Sequence, residues 1–154
     1  MFSDQHMRIL KYCSEEVARQ HASPVAVYWM MKAWNYTYET CEFRDAKEIL
    51  TSKVVAEIGR LVEPIMNMSF YRQCGVTVGN HYPPHWQEVP RLMDQLFQYG
   101  TLSTLTPEEV YKEFQMIHPF RDGNGRTGKI IYNALSGTLS DPKMPPNFFN
   151  CSNP

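Results

Sequence analysis

The stretch His118-Pro-Phe-Arg-Asp-Gly-Asn-Gly-Arg-Thr-Gly-Lys129 is the most informative part of the sequence. The segments on either side have apolar residues at helical spacing, so the stretch predicts a helix–loop–helix unit. Gly123 and Gly125 flank Asn124 directly before the second helix. Glycine there lets backbone N–H groups turn toward a ligand, and the helix N-terminus adds partial positive charge. These residues predict an anion site, and the anion that we expect is phosphate.

Four titratable or charged side chains in this stretch suit a nucleotide. Arg126 and Lys129 stand in the first turn of the second helix, where cations are unfavourable unless an anion such as phosphate lies nearby. Asp122 would repel phosphate unless a divalent cation joins them, and Mg²⁺ commonly uses one or two carboxylates with phosphate oxygens. His118 ends the preceding helix, where it can act as a general base on an incoming hydroxyl. The combination predicts a nucleotide-dependent transferase.

Taken singly, these residues have plainer explanations. A histidine at a helix end often satisfies terminal carbonyls, and an Asp-Gly-Asn-Gly sequence is more often a turn than a ligand site. Their conjunction in one short stretch favours a function. The stretch is not a Walker A loop, because the spacing GxxxxGK[ST] is absent, and the dinucleotide pattern GxGxxG is also missing. Phe120 is predicted to be an apolar anchor that fixes the loop to the core.

The segments around the loop predict a mostly α-helical fold. The clearest helix start is Thr106-Pro107, an N-cap threonine and N1 proline, with Glu109 completing a capping box. The predicted helices run from Ser23-Pro24 to about Trp34, from about Asp45 to Val62, from about Trp86 to Phe97, from Thr106 to about Ile117, and after the loop through Ile130, Ile131, Ala134, Leu135 and Leu139. Gly75-Val-Thr-Val-Gly79 is β-branched at its centre and predicts a short strand or hairpin. The loop is therefore expected between two core helices.

The composition bounds the architecture and the partners. With 154 residues the chain is long enough for one compact domain and too short for two, so we expect a single domain over residues 1–154. The net charge of −1 gives no indication of a nucleic-acid partner or an anionic membrane. No apolar stretch approaches the roughly 20 residues that a membrane span needs, and the N-terminus shows no signal-peptide pattern.

The cysteines bear on the redox compartment. Cys13, Cys41, Cys74 and Cys151 are widely spaced and form no CxxC pair. This spacing does not favour a metal cluster, and a chain of this size does not need disulfides. We therefore expect free thiols and a cytoplasmic protein. Delivery into a host cell by a dedicated secretion route would leave the same sequence.

The segment from His118 to Arg126 resembles the HPFx(D/E)GN(G/K)R signature of Fic-domain proteins at every defined position. Other segments resemble the β-hairpin flap of that family, the helix after the flap and a proline pair after the motif helix; they are Tyr71-Arg72, Val76–Gly79, Tyr82–Pro84, Val89–Met93 and Met144–Pro146. The likeness covers about residues 45–147, the expected core. It implies a Fic-type helical bundle, with N-terminal framing helices over about residues 1–44.

The resemblance implies a protein adenylyltransferase, which moves AMP from ATP to a Ser, Thr or Tyr hydroxyl of a target protein with Mg²⁺ and releases pyrophosphate. By motif position, His118 would deprotonate the target hydroxyl and Asp122 would hold Mg²⁺. The residues that would bind the phosphates are Gly123, Asn124, Gly125, Arg126 and Lys129. The flap residues that would align the target backbone by strand addition are Val76, Thr77, Val78 and Gly79.

Two departures from the family pattern matter. Many adenylylating members continue to HxFx(D/E)GNGRxxR, whereas the last position here is Lys129, which keeps the charge and loses the bidentate fork. This departure concerns the choice of nucleotide more than catalysis. Many relatives also carry an inhibitory helix, (S/T)xxxE(G/N), whose glutamate occupies the terminal-phosphate site, and the sequence shows no match. Either a separate, antitoxin-like protein supplies inhibition, or the enzyme is not regulated in this way.

Three alternatives stay open from the sequence. A phosphotransferase of the same fold would bind the nucleotide in reverse, but such relatives have lysine in the middle of the motif, where Gly125 stands here. UMP, GMP or phosphocholine transfer is compatible with the motif, because base selection lies outside it. A non-catalytic nucleotide-binding module is the third, and the intact His118 argues against it. The target protein and the oligomeric state are not encoded in these patterns.

Overall fold

A computed structural model describes residues 3–147 of the chain. Its helices are α1 (Asp4–Arg19), α2 (Val25–Cys41), α3 (Ala46–Ile49), α4 (Ser52–Val62), α5 (Val89–Leu96), α6 (Tyr99–Leu102), α7 (Pro107–Ile117) and α8 (Asn124–Ser136), with a 3₁₀ turn at Trp86–Glu88 directly before α5. The expected mostly α fold is confirmed. The described residues contain no helix long and apolar enough to cross a membrane.

Helix α8 forms the centre of the molecule, because every residue from Asn124 to Ala134 is buried. It packs against α2, α4 and α7, while α1 packs on α2. Trp34 of α2 donates from Nε1 to the Leu139 carbonyl at 2.9 Å, which fixes the chain just after α8. The helix also carries the buried polar side chains of Arg126, Lys129 and Asn133, and each of them needs a hydrogen-bond partner or a counter-charge.

Local signals gave the start of α7 correctly. Thr106 accepts from Glu109 N at 3.1 Å, and the Glu109 carboxylate accepts from Thr106 N at 2.9 Å, which is the predicted capping box. The helix ends at Ile117, also as predicted. Its C-cap residue is His118, so the same helix delivers the candidate base to the loop.

Other helix ends differ from the prediction. Helix α2 begins after Pro24 without a side-chain cap and continues to Cys41, because no glycine or proline stops it after Trp34. The helix expected over residues 45–62 is two helices, since the Thr51 hydroxyl accepts from Val54 N at 3.3 Å and starts α4 anew. Leu139 lies beyond α8, which ends at the left-handed Gly137 with φ +71.

The β-hairpin flap predicted around residues 75–79 is wrong as a pair of strands. Within residues 3–147 the pairing there is limited to one antiparallel bridge between Val78 and His81, with N to O distances of 3.0 and 2.8 Å. Gly79, at φ +56, makes the two-residue turn between them. The next pair would oppose Val76 and Pro83, and proline has no N–H to donate. We use "flap segment" below for residues 75–83.

Three of the four cysteines lie in the described part of the chain. Cys13 and Cys41 are buried, Cys74 is exposed, and all three are free thiols, as expected. Burial raises the pKa of the Cys13 thiol to about 12, so it is protonated at neutral pH. The fourth, Cys151, lies outside the described residues.

Candidate active site

His118 closes α7 in the left-handed conformation, with φ +51 and ψ 63. Residues with a Cβ rarely adopt this region, so the backbone here is strained and must be held by its surroundings. The His118 N–H donates to the Phe114 carbonyl at 2.9 Å, and the His118 carbonyl accepts from Arg72 Nε at 2.7 Å. These contacts fix the turn that leads from α7 into the glycine-rich loop.

The protonation of His118 suits a base. Burial lowers its pKa to about 4, because the imidazolium is poorly solvated in this position. The Gln115 backbone carbonyl opposes the shift, the charges of Arg72 and His81 add to it, and the Asp122 carboxylate also opposes it. The ring is therefore neutral at pH 7, which is the form that accepts a proton.

Phe120 is fully buried and anchors the loop, as predicted. Its ring lies so close to Gly59 of α4 that an added Cβ there would fall 2.1 Å from Phe120 Cζ. The Tyr71 and Phe114 rings complete its surroundings, with centroids 5.6 and 6.3 Å away. Only glycine at position 59 allows the loop to approach α4 this closely.

The side chain of Asn124 closes the loop on itself. It accepts from Phe120 N at 2.8 Å and donates to Phe120 O at 2.8 Å. The Asn124 carbonyl accepts from Gln115 Nε2 of α7 at 3.0 Å. Because the side-chain amide is used inside the loop, the part of Asn124 that remains for an anion is its backbone N–H.

The first turn of α8 presents backbone N–H groups at the end of the loop. Thr127 N bonds to Gly123 O at 2.9 Å, so the N–H groups of residues 124–126 precede the first intrahelical bond. Gly123 has φ +76, and a Cβ on it would lie 2.9 Å from Val62 Cγ1. Its N–H donates to Asp122 Oδ1 at 2.8 Å, so a carboxylate already occupies the edge of this anion site.

Arg126 is 2% exposed, and its Nε and NH1 atoms have no hydrogen-bond partner among the described residues. Its NH2 atom lies 3.7 Å from Asp122 Oδ1, which is longer than a hydrogen bond. A buried guanidinium with unused donors is costly unless an anion completes the site. Arg126 is therefore the strongest structural indication of a bound phosphate.

Asp122 is the exposed member of the group, with 41% of its side chain accessible. Within residues 3–147 no three His, Cys, Asp or Glu side chains come together as a metal cluster. A single accessible carboxylate does not fit a metal held by protein alone. It fits Mg²⁺ that takes its other ligands from phosphate oxygens and water.

Lys129 forms a buried ion pair. Its ammonium lies 2.7 Å from the Glu16 carboxylate of α1, with 7% and 1% of the two side chains exposed. It also lies 6.0 Å from the centroid of the Tyr111 ring. Glu16 accepts in addition from Arg19 of α1 and from Gln20, the C-cap residue of that helix. The expected phosphate grip of Lys129 stays a prediction, because its ammonium is occupied by a carboxylate in this structure.

The predicted flap residues lie together, with Val76, Thr77 and Val78 before the turn and Gly79 in it. Val78 is buried, Val76 is half-buried, and Thr77 and Gly79 are exposed. His81 Nε2 lies 2.9 Å from the Met116 carbonyl, a contact that joins the flap segment to α7. The segment therefore lies beside the end of α7 that carries His118.

Comparison with known proteins identifies the family. The model of the Fic/DOC family matches residues 41–136. The chain belongs to the Fic/DOC family. A protein adenylyltransferase Fic of Drosophila erecta is 34% identical over 97 residues, which cover 56% of this chain and 19% of that relative. The chain thus spans less than one fifth of the length of that relative.

The sequence did not predict the contacts that three polar residues elsewhere in the chain make with the Fic/DOC motif: Glu16, Asn67 and Arg72. Arg72 was noted only as part of the resemblance to the flap region. Glu16 does not fit the inhibitory pattern, since Tyr12 stands four positions before it and Val17 follows it. Buried polar residues on otherwise apolar faces are the signal that marks such positions. That signal requires the fold, because Glu16 looks like one more surface acid of an amphipathic helix.

Proposed function

We propose that this Fic/DOC chain is a protein adenylyltransferase that moves AMP from ATP to a Ser, Thr or Tyr hydroxyl of a target protein. The observation that carries the proposal is Arg126, a buried guanidinium with unpaired Nε and NH1, at the N-terminal turn of α8. An anion there would also meet the N–H groups of residues 124–126. Phosphoryl chemistry depends mainly on positioning and charge neutralisation, and the loop supplies donors for both.

In the proposed reaction, the hydroxyl oxygen of the target attacks the α-phosphorus of ATP. The new phosphorus–oxygen bond forms as the bond between the α-phosphorus and the pyrophosphate oxygen breaks. The hydroxyl proton passes to the imidazole of His118, which is neutral at pH 7 because burial lowers its pKa to about 4. Arg126 and the first N–H groups of α8 stabilise the developing negative charge.

Asp122 is the residue that would hold Mg²⁺ in this reaction. When bound, the ion supplies charge neutralisation to the phosphates. The carboxylate now accepts from Gly123 N at 2.8 Å, one of the donors that faces the anion site. Binding of a phosphate at that N–H therefore requires the carboxylate to turn outward, toward the solvent to which it is already accessible.

The flap segment is proposed to align the target chain. Thr77 and Gly79 are exposed, and among the described residues no strand pairs with the N–H and carbonyl of Val76. An extended target segment can add its own backbone groups there, a mode of recognition that needs no charged surface. The net charge of −1 is compatible with it.

The proposal is tested by incubating the purified protein and Mg²⁺ with a cell lysate and ATP labelled at the α- or the γ-phosphate. We expect protein-bound label from the α position and none from the γ position, with the signal abolished in His118→Ala. Label from γ alone would establish phosphotransfer instead. Stronger labelling from UTP or GTP than from ATP would support nucleotidyl transfer with a nucleotide donor other than ATP.

A non-catalytic module gives a different result in the same experiment. It would bind ATP without transferring label, and His118→Ala would retain the affinity of the parent for ATP in calorimetry. Mass spectrometry of the labelled proteins identifies the acceptor residue. An adduct of AMP mass on a Ser, Thr or Tyr is the result that we expect.

A further inference from the structure

A connector of ten residues, Glu63–Arg72, joins α4 to the flap segment. Its outer face carries exposed apolar side chains, whereas two polar side chains, Asn67 and Arg72, are 1% and 3% exposed. Both are directed to the backbone of the glycine-rich loop. Apolar side chains are usually buried and polar ones exposed, so the opposite arrangement here indicates that the connector has a function at the site.

Asn67 holds Asp122 by its backbone. Its Nδ2 donates to the Asp122 carbonyl at 2.8 Å, and its Oδ1 accepts from Asp122 N at 3.2 Å. The same Nδ2 donates to the Gly59 carbonyl of α4 at 2.9 Å. One buried amide thus ties the peptide groups on both sides of the Asp122 Cα to α4, and leaves the carboxylate free to turn.

Arg72 holds His118 and the flap segment together. Its guanidinium donates to the His118 carbonyl at 2.7 Å and to the Ile117 carbonyl at 3.3 Å, at the C-terminal end of α7. It also donates to the Cys74 carbonyl at 2.9 Å and the Pro84 carbonyl at 2.6 Å, which flank the flap segment. A planar fork with five N–H donors can serve four carbonyls in fixed directions.

The backbone of the connector adds one more bond to the loop. Arg72 N donates to the Pro119 carbonyl at 2.8 Å, directly after His118. Arg72 therefore donates to three consecutive carbonyls, those of Ile117, His118 and Pro119, and so holds His118 in its left-handed conformation. A strained backbone persists only where its surroundings determine it in this way.

We propose that the connector Glu63–Arg72 positions the site: Asn67 sets the place of Asp122, and Arg72 sets the place of His118 relative to the flap segment. This inference rests on the roles of His118 and Asp122 proposed above. The two residues are positioning residues, since each contacts the backbone of the reactive residue and neither reaches the reacting atoms. Base, carboxylate and target strand are thereby fixed relative to one another by one stretch of chain.

Hydrogen–deuterium exchange tests the Arg72 half without any need for activity. In Arg72→Lys, whose ammonium reaches only some of the four carbonyls, we expect exchange over residues 75–83 to become about tenfold faster. The matched control is Arg91→Lys, because Arg91 of α5 is exposed and pairs with Glu88 of the preceding 3₁₀ turn. Flap exchange equal to that of the parent in a folded Arg72→Lys would overturn the proposal.

The ionisation of His118 provides a second measurement on Arg72. The charged groups that bear on this ring are Arg72, His81 and Asp122. In Arg72→Met the NMR titration of the His118 imidazole should move toward the ordinary value, while Arg72→Lys, which keeps the charge, should stay close to the parent. A His118 titration that is the same in the parent and in both variants contradicts the assignment. If Arg72→Met does not fold, the exchange experiment on Arg72→Lys decides.

The Asn67 half is tested with Asn67→Ala against Asn133→Ala. Asn133 is also fully buried and bonded to backbone, at the far end of α8, so both variants lose a buried amide. In Asn67→Ala we expect the Mg²⁺ concentration for half-maximal ATP binding to rise about fivefold, with no such rise in Asn133→Ala. Equal values in the two variants would refute the role of Asn67. Failure of the parent to bind ATP would count against the proposed function, and flap exchange would still decide on the connector.

Discussion

Two parts of α8 differ in how their buried charged groups are paired: residues 124–128, called the first half below, and residues 129–136, called the second half. In the first half, Arg126 leaves Nε and NH1 without a partner among the described residues. In the second half, Lys129 pairs with Glu16 at 2.7 Å, and Asn133 accepts from Lys143 N at 2.7 Å and donates to Lys143 O at 3.1 Å. Both halves are buried, so burial does not explain the difference. The satisfied groups serve the fold, and the unsatisfied ones are those that a ligand can complete.

The comparison predicts separate consequences for stability and for activity. Changes in the second half should lower the free energy of unfolding, because they leave a buried charge without its partner. Removal of the Arg126 guanidinium in the first half should lower activity and leave stability unchanged or higher, because the unpaired guanidinium is itself a cost to the fold.

The largest effect is expected at Glu16. In Glu16→Gln the buried ammonium of Lys129 loses its counter-charge, and the free energy of unfolding should fall by about 3–5 kcal/mol. Urea denaturation measures it. Glu15→Gln is the matched control, because Glu15 is exposed and lies 3.9 Å from Lys11, so its change should stay within about 0.5 kcal/mol. The double variant Glu16→Gln/Lys129→Met should recover much of the loss. If Glu16→Gln and Glu15→Gln had the same free energy of unfolding, the Glu16–Lys129 pair would not stabilise the fold, and the two halves of α8 would no longer differ in this respect.

Arg126→Met should have the opposite consequences to Glu16→Gln, a loss of activity without a loss of stability. The loss of a charge-stabilising donor should lower AMP transfer by about 10²–10³-fold, while thermal unfolding occurs at the same or a higher temperature than in the parent. Arg121→Met, an exposed change in the same loop, should unfold as the parent does. A large drop in the stability of Arg126→Met would show that Arg126 serves the fold, and would deprive the proposed phosphate site of its main support.

The sequence predicted those features whose causes lie close together along the chain. Thr106 and Glu109 lie within one turn, so the capping box and the helix after it were predictable. The flap hairpin was not, because pairing depends on the returning segment, where Pro83 cannot donate. Local β propensity at Val76–Val78 favours an extended chain and does not supply a partner strand.

The site shows the same limit. The motif from His118 to Lys129 is contiguous, and its residues were identified from their types, their position between two predicted helices and their resemblance to the Fic signature. The partners that hold these residues come from distant positions: Arg72 reaches His118 across 46 residues, and Asn67 reaches Asp122 across 55. Nothing within a sequence window distinguishes such a residue from a surface one. Glu16 is 113 positions away from Lys129 in the chain, so the sequence did not show that the two side chains pair. The Lys129 ammonium was therefore predicted to be available to phosphate.

The pH dependence of stability sharpens the comparison at His118, next to the first half of α8. Its ordinary pKa is 6.5, and burial lowers the folded-state pKa to about 4. Between these values the unfolded chain binds more protons than the folded one, so stability falls as the pH falls from 6.5 toward 4. The contribution between pH 7 and pH 5 should be about 2 kcal/mol.

The measurement is the urea unfolding free energy at both pH values for the parent and for His118→Gln. Between pH 7 and pH 5, His118→Gln should lose about 2 kcal/mol less stability than the parent does. His85→Gln, which changes an exposed histidine, should behave as the parent. If His118→Gln and the parent respond equally to acid, then His118 is not held in its neutral form by burial.

The smallest effect concerns the contact that seats the loop before α8 against α4, between Gly59 and Phe120. Ala at position 59 would place Cβ 2.1 Å from Phe120 Cζ, so the ring must move and the loop with it. Overpacking of this kind should cost about 1–2 kcal/mol of stability. Turnover should fall about tenfold, because the base and the anion site are carried by the displaced loop. Gly100→Ala is the matched change, since a Cβ there meets nothing within 4 Å. Parent-like turnover in a destabilised Gly59→Ala would mean that the anchor supports the core without fixing the geometry of the site.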